Sequence, residues 1–110
     1  MEMTSDTAVS ALAALAQPHR LALFRLLVQA GEQGLAAGAI AQALGVPNSS
    51  LSFHLAQLGK AGLVRQERRH RSIIYRADYA AMDALVGYLM ENCCAGAGCA
   101  AAAQDERKSA

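Results

Sequence analysis

The stretch Pro47-Asn48-Ser49-Ser50-Leu51-Ser52-Phe53-His54-Leu55-Ala56-Gln57-Leu58 decides the fold. Leu51, Leu55 and Leu58 recur at helical spacing and define one inward face. The other face carries Ser49, Ser50, Ser52, Phe53 and Gln57. Short hydroxyl side chains let a helix sit deep in a DNA major groove and bond to base edges or phosphates. Phe53 suits a thymine methyl, and Gln57 an adenine or a phosphate. His54, three residues after Leu51, either reaches DNA or packs against the fold. Asn48 or Ser49 is the expected cap, and Gly62 the stop after about Ala61.

Upstream, Gly45-Val46-Pro47 is a tight break after a helix read from Leu35 to Leu44, with Ile40, Ala41 and Leu44 inward. A further helix starts at Pro18, which suits a first turn. It runs to about Ala30, with Leu21, Phe24, Leu27 and Val28 as its buried stripe and Gly31 as its stop. His19, beside Pro18, reads as structural. The first helix runs from about Thr4 to Ala16, capped by Thr4, Ser5 or Asp6, with Val9, Leu12 and Leu15 along one face.

Downstream the period changes. Val64 to Arg68 and Ser72 to Arg76 read as two short strands with Arg69-His70-Arg71 at the tip. No Asn-Gly signal is present, so the turn type stays open. A last helix begins near Asp78 and reaches about Asn92, with Met82, Leu85, Val86 and Leu89 at core spacing. Helix, glycine-bearing turn, second helix and basic hairpin is the order of a winged helix-turn-helix. The expected class is mainly α with a small β-hairpin (α+β).

Charge placement points the same way. Between Lys60 and Arg76 six basic residues face only Glu67, whereas the whole 110-residue chain carries a net +1. Positive charge is thus gathered on one surface, as docking on phosphate requires. Arg68, Arg69 and Arg71 are the hairpin residues expected to straddle backbone or minor groove. Taken singly, the serines also read as caps and the arginines as a solvated strand face. Order, spacing and charge together favour double-stranded DNA as the partner. No apolar run approaches a membrane span, and the acidic start Met1 to Asp6 lacks a signal peptide's basic region. A cytoplasmic protein is expected, whose thiols stay reduced.

At this point a resemblance emerges. Ser49-Ser50-Leu51-Ser52-Phe53-His54-Leu55-Ala56-Gln57-Leu58-Gly59-Lys60-Ala61-Gly62-Leu63-Val64 resembles the recognition-helix signature of the ArsR/SmtB metalloregulatory repressors. Leu15-Ala16-Gln17-Pro18-His19-Arg20-Leu21 is similar to the start of that family's second helix. The similarity runs from about Leu12 to Cys99. It implies a winged fold, a homodimer paired through its outer helices, an inverted-repeat operator, and repression relieved by an inducer. Residues 1–92 would form the DNA-binding and dimerisation domain, and 93–110 a cysteine-bearing tail.

All three cysteines lie in that tail: Cys93, Cys94 and Cys99, separated by Ala95-Gly96-Ala97-Gly98. Arsenic(III) keeps a lone pair and prefers a pyramid of three sulfurs, whereas structural zinc takes four ligands. Three thiols with no nearby histidine fit the first count, with antimony(III) as an analogue. In a continuing helix Cys93 and Cys94 would point about 100° apart, so both face one ion only if the helix end distorts. Gly96 and Gly98 permit the chain reversal that returns Cys99.

Many arsenic-responsive members of the family carry a cysteine pair in the helix before the recognition helix; here Gly34 to Ala41 has none. Its zinc sensors use acidic and histidine ligands on the last helix; here Asp83 has no histidine partner. The chain resembles members whose thiols end the last helix, which makes Cys93, Cys94 and Cys99 the inducer ligands. The same thiols also suit cadmium, lead, an organoarsenical or an oxidant. A disulfide between two of them is possible, although adjacent cysteines form a strained ring. A thiol enzyme would need an activating base or a helix N-terminus; these thiols follow a helix C-terminus, where the dipole disfavours a thiolate. Residues 100–110 hold no core residue and are expected to fray.

Overall fold

Capping sets the helix starts. A computed structural model describes residues 2–96 of the chain. α1 spans Ser5–Leu15 and begins where the Thr4 side chain accepts the Thr7 N–H, filling one of the unpaired donors of a first turn. α2 spans Pro18–Ala30; the Gln17 side chain accepts from the Arg20 N–H. α2 stops at Gly31, whose φ of 80° is open to glycine. A 3-10 turn, Gly31–Gln33, leads to a two-residue strand, β1 (Leu35–Ala36). α3 covers Ala37–Leu44 and α4 Asn48–Lys60. The hairpin is β2 (Val64–Arg69) and β3 (Ser72–Ala77). α5, Tyr79–Leu89, starts on Asp78, which accepts the Ala81 N–H.

The three strands form one antiparallel sheet in the order β1-β3-β2. Val64 opposes Ala77 and Arg69 opposes Ser72. Leu23 and Leu27 of α2, Ile40 of α3, and Leu51 and Leu58 of α4 meet Leu63 in the centre, all at 1% exposure or less. Burying each such side chain is worth about 1.5–3 kcal/mol. α5 is tied to this centre at its first residue: the Tyr79 hydroxyl donates to the Val28 carbonyl at 2.9 Å and lies 3.4 Å from that of Leu27. These are carbonyls near the end of α2, where intrahelical partners run out.

The structure corrects several expectations. α1 buries Ala8, Ala11 and Ala14, while Val9 and Leu12 are 62% and 42% exposed. Alanines let α1 lie close against α2, α4 and α5, so its larger side chains point away. In α2, Leu23 takes the inward position and Leu21 is exposed. Leu35 and Ala36 belong to a strand, because Gly34 at φ 66° turns the chain against β3. The N-cap of α4 is Pro47, with no side-chain cap bond, so neither Asn48 nor Ser49 caps it. The hairpin tip is His70-Arg71 alone, with Arg69 still paired, and His70 takes φ 57°. α5 stops at Leu89, three residues early, and leaves Val86 and Leu89 exposed. Cys99 and the rest of 97–110, including the segment expected to fray, lie outside the described residues.

Candidate functional site

Two features carry candidate function: the face presented by α4 and the hairpin, and the turn after α5. Leu51, Leu55 and Leu58 hold α4 in the core as expected. Ser49, Ser50, Ser52 and Phe53 are therefore exposed together, and Gln57 is half-buried on one flank. Phe53 stands 56% exposed, with the Arg20 guanidinium 5.6 Å from its ring centre, within cation–π range.

His54 does not belong to that exposed set. It is 9% exposed and turned into the fold. The Arg20 Nε–H donates to its Nδ1 at 3.4 Å, and the His19 ring stacks on it at 5.7 Å. Accepting at Nδ1 leaves the ring proton on Nε2. Burial foremost, then the charges of Arg20 and His19, pushes the His54 pKa below its ordinary 6.5. His54 is thus a neutral brace between α2 and α4, the packing alternative of the two read from the sequence. The missing signal was Arg20, distant in sequence and brought alongside by the α2–α4 packing.

Side chains alternate across the hairpin. Val64, Gln66 and Arg68 share a face with Ile73 and Tyr75. That face meets α4 across a cleft of about 450 Å³ lined by Ser52, Ala56, Gly59, Gln66 and Tyr75. Arg68 is therefore on the α4 side. Arg69 lies on the other face, where Glu67 pairs with it at 3.5 Å and with Arg76 at 3.1 Å. Arg76 also reaches Glu32 beside β1. Arg71 is exposed in the tip. The expected arginines are split between two faces, and Gln66 and Tyr75 join the α4 side unforeseen. Strand alternation was the available signal.

Past α5 the chain turns sharply. Asn92 and Cys94 take φ of 59° and 56°, and a 3-10 turn spans Cys93–Gly96. The Cys93 N–H donates to the Met90 carbonyl at 2.9 Å, joining this turn to the end of α5. The Sγ atoms of Cys93 and Cys94 lie 3.5 Å apart. The helix end is therefore distorted in the sense that brings two adjacent sulfurs together. Cys93 is a free thiol and Cys94 is disulfide-bonded. Among the described residues no group of three His, Cys, Asp or Glu could hold a metal ion; the third expected ligand, Cys99, is outside them.

A helix-turn-helix with an exposed hydroxyl-rich second helix and a basic antiparallel hairpin defines a winged helix-turn-helix DNA-binding regulator. The helix-turn-helix domain model matches residues 15–67. Nodulation protein NolR of Rhizobium meliloti is 32% identical over 87 residues, 79% of this chain and 69% of NolR. Among solved structures, HlyU from Vibrio cholerae N16961 superposes with a TM-score of 0.67 at 30% identity, covering 86% of this chain and 99% of HlyU. The homodimeric winged helix-turn-helix domain of Mb0332 from Mycobacterium bovis, a possible ArsR-family regulator, gives 0.63 at 33% identity, over 79% and 81% of the two chains. A possible transcriptional regulator for arsenical resistance gives 0.64 at 30%, over 73% and 80%. This chain belongs to the ArsR family of transcriptional regulators. Its relatives are regulators and not enzymes, and among the described residues no helix is long and apolar enough to cross a membrane.

Proposed function

We propose that this chain is a homodimeric, cytoplasmic repressor that leaves an inverted-repeat operator when arsenic(III), or antimony(III), binds Cys93, Cys94 and Cys99 of the reduced protein. The observation that carries this reading is the 3.5 Å approach of the first two sulfurs. Two sulfurs bound to one soft ion through bonds of about 2.3 Å, at an angle near 100°, sit about 3.5 Å apart. That spacing supports a shared soft ion once the Cys94 disulfide is reduced, and Cys99 completes the three-sulfur count from the sequence. The likeness to a possible regulator for arsenical resistance supports the same inducer.

The turn is suited to move. Asn92 and Cys94 occupy the left-handed region, which costs a non-glycine residue about 1–2 kcal/mol. Closing thiolates on an ion reshapes this turn and, through the Cys93–Met90 bond, the end of α5. α5 packs on α1, and both helices keep apolar side chains outward: Val9 and Leu12, Val86 and Leu89. These are the surfaces for a second copy. A changed α5 alters the spacing of the two reading helices. A dimer must place them about one DNA turn apart, roughly 34–36 Å, so operator affinity falls. The test substitutes each cysteine by serine and follows operator release by arsenite in reductant. Each single variant is expected to hold DNA normally and to resist release. Full release from all three variants overturns the assignment.

A second reading has its own observation: Cys94 is disulfide-bonded. Oxidation of the same thiols would then be the signal. A mild thiol oxidant releasing the operator without arsenite, with arsenite inert in reductant, would select it.

A further inference from the structure

The flank of α4 away from the hairpin holds a second cleft, about 320 Å³ in volume, between α1, α2 and α4. Ser10, Arg20, Gln57 and Lys60 line it, and Ala13 and Ala14 form part of its wall. Every polar side chain here donates hydrogen bonds, two are cations, and no carboxylate lines it. Among the described residues the ion pairs are confined to Arg69, Arg76, Glu32 and Glu67, so Arg20 and Lys60 carry no acidic partner. Arg20 is also held in place: His54 accepts its Nε–H, and the Phe53 ring lies against it. Its remaining N–H groups are not used by those contacts.

We infer that this cleft is a phosphate clamp for the DNA backbone, with Arg20 and Lys60 as its two charges and Ser10 and Gln57 as neutral donors. The inference rests on the DNA-binding reading of α4. A helix lying in a major groove about 12 Å wide has a phosphate strand along each flank. Arg68, on the α4 side of the hairpin, would serve one strand. The Arg20–Lys60 cleft serves the other, and its alanine wall lets the sugar-phosphate chain come close. His54 is a positioning residue in this scheme, since it fixes Arg20 without touching DNA. Phe53 is shared: one side faces the groove and the other supports the guanidinium.

The experiment uses the full chain and a labelled mixed-sequence DNA duplex, because phosphate contacts are blind to sequence. Affinity is measured over a range of salt concentrations for the unmodified chain, Arg20→Gln, Arg20→Lys and Lys60→Gln. Each lost contact is expected to lower the slope of log affinity against log salt by about 0.9. At moderate salt Arg20→Gln and Lys60→Gln should bind about five- to tenfold more weakly, and by the same factor on any sequence, since a phosphate contact weakens binding uniformly. Arg20→Lys keeps its charge and should keep the slope. Lys60 is exposed and touches no brace, so its variant folds even if Arg20→Gln does not. An unmodified chain that binds with slopes unchanged in Lys60→Gln and in every folded Arg20 variant overturns the clamp and leaves DNA binding intact. An unmodified chain that does not bind the duplex overturns the DNA-binding reading itself, and the clamp with it.

Discussion

His54 shows how one side chain serves the fold and the reading surface together. Buried against Arg20 and His19, it is held neutral with its pKa below 6.5. The unfolded chain takes up this proton at about pH 6.5 and the folded chain does not. Stability from His54 is therefore full above that pH and is lost as pH falls from 6.5 toward the lower folded value. His54→Gln should cost about 1–2 kcal/mol at pH 7. Its deficit should shrink on acidification, because the variant lacks this proton uptake. Denaturant unfolding of both proteins between pH 7 and 5 checks this; a constant deficit would contradict the brace. From sequence alone His54 could face either way, since helical periodicity gives its angle on α4 but not the identity of its neighbour across the helix pair.

Among the elements, β1 and α1 were the least legible. The leucines of α4 and the alternation of the hairpin identify those segments, because burial imposes their periods directly. Leu35–Ala36 has too few residues to show a period, and its strand character comes from β3, nearly forty residues away. Gly34 makes that pairing possible. A Cβ there would meet the Tyr75 carbonyl oxygen at 2.5 Å, at a φ of 66°. Gly34→Ala should therefore cost at least about 2 kcal/mol, combining left-handed strain with a clash on backbone. Chemical denaturation reads the loss, and a variant within a few tenths of the parent would refute the packing described. In α1 the hydrophobic ranking of side chains misled, since the small residues face the core and the large ones face outward. That inversion is itself informative about assembly.

For the whole molecule, Val9 and Leu12 on α1 and Val86 and Leu89 on α5 form the apolar surface expected to pair two copies. Charge there should split the dimer. Leu12→Glu with Val86→Glu should sediment as a folded monomer, with helical content retained and operator affinity reduced by orders of magnitude, since one reading helix then binds alone. A variant that stays dimeric would place the interface elsewhere. The exposed face of α4 and the two sides of the hairpin were largely legible in the sequence because each is local to one element. Its Arg20 flank was not, since it joins residues 10, 20, 57 and 60 from three helices. The three cysteines can be counted in the sequence, but the turn that brings Cys93 to Cys94 depends on where α5 ends, which composition does not give.

Regulation in this scheme turns on the proposed arsenic(III) response, and one titration addresses it. A promoter fragment bound by the reduced full-length protein is titrated with arsenite while fluorescence anisotropy reports the complex. Release is expected at one ion per subunit, with the loss of three titratable thiols. Undiminished binding at saturating arsenite would contradict the arsenic(III) assignment outright.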